Sequence, residues 1–166
     1  MRLSEVNAMD ERAAALEFRR CCGSFRWATR MAQARPFASA EEMSAAADTA
    51  WWALGRPVWL EAFAAHPQIG TSAPVSDWSA AEQSGVAGAA DRTRRRLAEA
   101  NRGYHARFGY IFIVCATGKS ADEMLDTLEQ RLRNDPDHEL RIAAEEQRKI
   151  TQLRLTKMLG TRTDHP

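Results

Sequence analysis

The chain has 166 residues, 45% of them apolar and 27% charged, which suffices for one domain with a real core and is too short for two of ordinary size. With 23 Lys and Arg against 22 Asp and Glu the net charge is +1, so charge gives no argument for a nucleic-acid partner or a membrane surface. The longest apolar runs, such as Tyr110 to Ala116, fall well short of the roughly 20 residues that cross a bilayer. Met1–Asn7 lacks the apolar stretch of a secretory signal and Thr163–Pro166 carries no recognisable address, so the cytoplasm is the expected location. Of the three cysteines, the adjacent Cys21 and Cys22 cannot easily bridge to each other, and reduced, buried thiols are expected. No Cys/His spacing resembles a zinc site, and no metal is expected.

Segments rich in Ala, Leu, Glu, Arg and Met follow one another with few β-branched residues, which predicts an all-α, single-domain multi-helix bundle over residues 1–166. A first helix is expected from Asp10 to Cys22, where Gly23 breaks it, and Ser24 caps a second through Phe25, Trp27 and Met31 to Ala34. Ser39-Ala40-Glu41-Glu42 has capping-box spacing and opens a helix through Trp51, Trp52 and Leu54 that Gly55 and Pro57 stop. Pro57 suits the first turn of the next helix, which carries Trp59 and Phe63 and runs up to His66. Pro67 disfavours the α conformation in the residue before it, so the helix stops there and the His66 ring can leave the helical stack.

A loop with Gly70 and Pro74 leads to Ser79, which caps a long helix with Glu82 three positions on. Val86, Ala90, Leu97 and Tyr104 recur along it at helical multiples, and Asp91 and Arg95 have the spacing of an i,i+4 ion pair. The basic run Arg92 to Arg96 reads as a solvated helix face, since Asp91 and Glu99 dilute it. Gly109 interrupts, and Tyr110 to Ala116 is the one β-like run; with no partner strand it is expected to cross the core as a buried extended or helical segment. Ser120-Ala121-Asp122-Glu123 repeats the capping pattern ahead of Met124, Leu125, Leu128 and Leu132, ending near Asn134-Asp135. Pro136 opens a last helix with Leu140, Ala143, Ile150, Leu153 and Met158 on one side and Arg154 at the core's edge, stopped by Gly160.

The end of one helix and the start of the next are thus tied by a short loop, with an imidazole at one and a carboxylate and an amide at the other. Each residue also has a plain structural account. A histidine at a helix C-terminus is favoured by the negative pole of the helix, and Ser79 with Glu82 is explained by capping alone. Gln83 reads as an exposed helix side chain and Arg154 as one half of a surface ion pair.

Jointly, the motifs resemble one family, the 2-oxo-4-hydroxy-4-carboxy-5-ureidoimidazoline (OHCU) decarboxylases of ureide formation from urate. The resemblance rests on Ala65-His66-Pro67-Gln68-Ile69-Gly70, Ser79-Ala80-Ala81-Glu82-Gln83, the stretch Asn101 to Phe112, Glu129 to Asn134 and Ile150 to Leu155, in the family's order. It implies an all-helical bundle and a cofactor-free lyase that forms (S)-allantoin from a small-molecule substrate. It also implies His66 as the catalytic acid/base assisted by Glu82. Pro67, Ser79 and Gln83 are implied at the substrate, Arg154 as a ligand for a carbonyl or carboxylate oxygen, and backbone groups at Ile113 and Val114 in the pocket wall. A homodimer is implied by relatives.

The chemistry suits these residue types. Losing CO2 leaves two electrons on carbon; thiamine or pyridoxal often accepts them, and no motif for either is visible. The substrate implied here has its own sink, a C=N bond adjoining the carbon that bears carboxylate and hydroxyl. A group that titrates near neutrality is suited to the proton transfers, and His66 is the only histidine in a motif; His105, His138 and His165 are not. Asn101, Tyr104 and Phe108 are assigned to core and turn contacts. The competing reading is a non-catalytic interaction module, with His66 structural and the five tryptophans forming interface or core. Hydrolysis of the preceding 5-hydroxyisourate fits less well, because the helper known for it is β-rich.

Overall fold

The computed structural model of the chain describes residues 1–67 and 91–160, and the eight elements among them are all α-helices. They are α1 (Leu3–Ala8), α2 (Glu11–Cys21), α3 (Phe25–Gln33), α4 (Ala40–Leu54), α5 (Arg56–Ala64), α6 (Asp91–Phe108), α7 (Ala121–Arg131) and α8 (Pro136–Met158). The fold is all-α, as composition and capping predicted.

Short polar side chains start these helices by accepting otherwise orphaned amide protons. Asp10 accepts from Ala13 N–H (2.9 Å), Ser24 from Trp27 N–H (3.3 Å), Ser39 from Glu42 N–H (3.1 Å) and Ser120 from Glu123 N–H (3.1 Å). At Ser120 the box is reciprocal, since the Glu123 carboxylate accepts from Ser120 N–H at 3.1 Å. At Ser39 the Glu42 carboxylate reaches one residue further back, to Ala38 N–H. The short α1 has no Ser or Asp signal ahead of it; there the Glu5 carboxylate accepts from the Arg2 N–H (2.7 Å) and guanidinium.

The chain forms two compact units, Met1–Ala62 with Arg148–Pro166, and Phe63–Gln147, so α5 and α8 contribute residues to both. In the first unit Phe18 packs edge-on to Trp27 and Phe37, each with centroids 6.3 Å apart. The Trp27 indole N–H donates to Ala47 O (3.1 Å) and that of Trp59 to Trp51 O (3.0 Å). Trp27, Trp51 and Trp59 are buried core, and the indoles of Trp27 and Trp59 are satisfied at their polar edges as burial requires. Arg148 pairs with Asp48 at 3.0 Å, and Gln152 bonds Asp48 and Ser44, fixing the end of α8 against α4.

In the second unit Leu97, Asn101 and Tyr104 line the buried face of α6, while Arg92, Arg94, Arg95 and Arg96 are exposed as expected of a solvated face. Arg96 reaches Glu129 of α7 at 2.8 Å, and among the described residues no ion pair joins Asp91 to Arg95. Gly109 has φ +81°, a left-handed conformation open to glycine, and it turns the chain out of α6. Residues 111–116 then form neither helix nor strand, with Phe112, Ile113 and Val114 buried.

One expectation for α8 is overturned. Leu153 is 37% exposed, whereas Arg154 is only 7% exposed. The buried stripe runs Leu140, Ala143, Gln147, Thr151, Arg154, Met158, at steps of three and four residues. Leu153 lies about 100° away from Arg154 around the axis, off that stripe.

Candidate functional site

The helical hydrogen bonding of α5 ends at Ala64, and His66 N–H donates to Phe63 O at 3.1 Å in a tightened last turn before Pro67. The backbone has left the helix by His66, so the ring projects from the end of α5, half-buried. Its Nε2 lies 2.6 Å from Oε1 of Gln147, a side chain with no solvent exposure. An amide oxygen only accepts, so the ring donates from Nε2. Pro67 is half-buried beside it.

The buried segment 111–116 is fixed from one side by a buried ion pair. The Arg131 guanidinium donates from Nη1 to Ile113 O at 2.6 Å and lies over the Phe112 ring, 4.6 Å from its centroid. Glu139, fully buried, accepts from Arg131 Nε (2.7 Å), Tyr104 O–H (2.5 Å) and Asn134 Nδ2 (3.0 Å). Burial pushes the Tyr104 phenol far above its ordinary range, so it stays a proton donor to that carboxylate. With its carbonyl held by Arg131, Ile113 is locked in orientation, and no hydrogen bond within the described residues uses the amide N–H of Ile113 or Val114. Two such amides on a rigid backbone suit a carbonyl or carboxylate oxygen.

Arg154 belongs to the first unit and lies in the buried stripe of α8, so it is not half of a surface ion pair. Burial pushes the thiols of Cys21 and Cys22 up to about 12, and the positive charge of Arg154 pulls in the opposite direction on both. Cys21 Sγ also contacts Met158 Sδ at 3.8 Å. Asn101 and Tyr104 are core as expected, with Asn101 Nδ2 donating to Leu97 O at 2.9 Å, and the Phe108 ring packs tilted against Tyr104 with centroids 4.7 Å apart. His105 and His138 are exposed. Ser79, Glu82 and Gln83 lie outside the described residues, as do Trp78 and His165. Among the described residues no three His, Cys, Asp or Glu side chains converge as metal ligands, and no helix is long and apolar enough to cross a membrane.

Three residues that shape this region escaped sequence reasoning. Gln147 had a usable signal, since it falls in step with Leu140, Ala143 and Arg154 on the inner stripe of α8. Arg131 and Glu139 had none: they sit on different helices across a turn, and only tertiary folding brings them to 2.6 Å.

A family profile described as OHCU decarboxylase matches residues 7–156. The chain is 43% identical over 151 residues to the uric acid degradation bifunctional protein TTL of Arabidopsis thaliana, covering 87% of this chain and 47% of that one. It therefore spans about half the length of that bifunctional relative. It is 28% identical over 165 residues to the 2-oxo-4-hydroxy-4-carboxy-5-ureidoimidazoline decarboxylase of Haloferax volcanii, covering 96% of both. Its structure is similar to a crystal structure of OHCU decarboxylase determined in the presence of (S)-allantoin, with a TM-score of 0.78 and 41% identity over 86% of this chain and 96% of that one.

Proposed function

The chain belongs to the OHCU decarboxylase family, and from that premise we propose that it decarboxylates 2-oxo-4-hydroxy-4-carboxy-5-ureidoimidazoline to (S)-allantoin in urate degradation, without a cofactor, as one catalytic domain over residues 1–166. The observation that carries this reading is the half-buried imidazole of His66, turned out of α5 ahead of Pro67 and oriented by a buried amide. A ring so placed can move protons near neutral pH.

The proposed reaction proceeds in balanced steps. The bond between the ring carbon and its carboxylate breaks and CO2 leaves. The electron pair passes through the adjoining C=N bond to its nitrogen, which takes up a proton and leaves an enol. The enol hydroxyl then gives up its proton while one face of the neighbouring carbon gains one, which sets the S configuration. His66 serves one or both of the last two transfers. Glu82 orients it and favours its charged form. Ser79 and Gln83 are proposed to bind the substrate, Gln83 offering both a donor and an acceptor to a ureido group or ring amide. Pro67 is proposed to line the same site. The amides of Ile113 and Val114 are suited to a carbonyl oxygen. Arg154, with its planar fork, is assigned to a carboxylate or carbonyl oxygen.

A homodimer is proposed from the resemblance rather than from geometry, and cytoplasmic placement is proposed from the sequence reading alone. The buried Trp27, Trp51 and Trp59 are poor candidates for a dimer contact, and Leu16 and Phe25, 55% and 57% exposed, are better ones. The same burial counts against a pure interaction module built on tryptophans.

The deciding experiment supplies freshly generated urate-oxidation product and follows circular dichroism for one allantoin enantiomer, with and without a metal chelator. The wild-type chain is expected to speed appearance of the S form in both. His66→Ala is expected to stay folded and lose roughly 10²- to 10⁴-fold in kcat, the usual worth of general acid–base catalysis. No enantiomeric excess from the wild type would refute the proposal.

A further inference from the structure

In a trans peptide group the carbonyl and the N–H of the next residue point in opposite directions, and among the described residues only the bond Arg35–Pro36 is cis. The Ile113 carbonyl is drawn to within 2.6 Å of Arg131 Nη1, which turns the Val114 N–H of the same peptide group away from the Arg131–Glu139 pair. Val114 is buried, and a buried amide proton is seldom left without an acceptor. No hydrogen bond within the described residues uses this one. We infer that Arg131 is a positioning residue that acts through the peptide group between Ile113 and Val114: its hydrogen bond to Ile113 O aims the Val114 N–H at a substrate oxygen and strengthens it as a donor. A carbonyl that accepts a hydrogen bond draws electron density across its amide, so hydrogen bonds in line reinforce one another.

The guanidinium suits that task. One edge, Nε and Nη2, faces Glu139 Oε1 at 2.7 and 2.6 Å, which leaves Nη1 for the carbonyl. A lysine in its place offers one point charge on a flexible stem and cannot hold both directions in a fixed fork. Glu139 neutralises the cation and is itself held by Tyr104 and Asn134, so the donor to Ile113 O is fixed from behind. All these groups belong to the unit Phe63–Gln147. The effect on turnover rests on the proposed decarboxylation, and the effect on the peptide group rests on geometry alone.

The test uses the full chain labelled with ¹³C and ¹⁵N, in two variants. Arg131→Met with Glu139→Leu removes the donor to Ile113 O together with its counter-charge, whereas Tyr104→Phe weakens the same buried network and leaves that donor in place. In the double variant the carbonyl ¹³C of Ile113 and the amide ¹⁵N of Val114 are expected to move upfield together. Its kcat/KM is expected to fall about 10-fold or more, short of the roughly 10²- to 10³-fold that outright loss of an oxyanion donor costs. Tyr104→Phe is expected to lose stability yet keep both resonances and its kcat/KM. Unmoved resonances or an unchanged kcat/KM in the double variant would overturn the inference. So would an equal loss in Tyr104→Phe, which would trace the effect to the stability of the network and not to the carbonyl contact. If the double variant does not fold, Arg131→Lys, which keeps the charge opposite Glu139, is judged by the same criteria. If the wild type turns over no substrate, the decarboxylase reading fails, while the two resonances still judge what Arg131 does to the peptide group.

Discussion

Glu139 is a carboxylate with no solvent exposure, and three donors share it. Removing one partner of a buried ion pair leaves an uncompensated charge, so Arg131→Leu is expected to destabilise the chain by about 3–5 kcal/mol in urea unfolding. Tyr104→Phe removes one hydrogen bond to a charged acceptor and is expected to cost about 1.5–3 kcal/mol. Arg131→Met combined with Glu139→Leu removes both charges together and is expected to recover most of the single-variant loss. It would also free the Ile113 carbonyl, so restored stability without restored turnover is the expected pattern. The thiols make a separate prediction. In the unfolded chain Cys21 and Cys22 ionise near their ordinary 9.0, but in the folded chain only at about 12. The stability this contributes is complete below pH 9 and is lost as pH rises towards 12, so alkaline unfolding should be less steep in Cys21→Ala/Cys22→Ala. At neutral pH a thiol reagent is expected to reach the half-buried Cys115 first, and the other two only on unfolding.

At the scale of elements, the caps predict their own variants. Ser120→Ala breaks a reciprocal box at the start of α7 and is expected to cost about 1 kcal/mol in chemical denaturation. Serine and proline punctuation made most helix boundaries readable from sequence: Ser24, Ser39, Pro57, Ser120 and Pro136 all lie at or beside observed starts. The helix α1 was not readable, because an arginine and a glutamate replace the usual short capping side chain. The run 111–116 is legible in sequence as a buried segment, yet what holds it is not, since a guanidinium bonding a carbonyl leaves no periodic trace. Of the candidate site, the end of α5 ahead of Pro67 is legible in sequence, while Gln147 is not, because a glutamine among Ala, Glu and Arg residues reads as solvated unless the three-to-four-residue stripe is traced through it. The same tracing separates Leu153 from Arg154, which residue type alone reverses.

For the molecule as a whole, α5 and α8 run without interruption from one compact unit into the other. The boundary falls near the middle of α8, where a break would forfeit backbone bonds on both sides, so a single cooperative transition is expected. The aromatic residues offer a way to see it. Trp27, Trp51, Trp52 and Trp59 all belong to the first unit, and both tyrosines, Tyr104 and Tyr110, to the second. A Trp78→Phe chain would therefore carry a natural two-channel reporter, its indole emission sensing one half and its tyrosine absorbance the other. Coincident midpoints in the two channels would mean that the halves melt as one, and a gap between them would locate the weak joint within the shared helices.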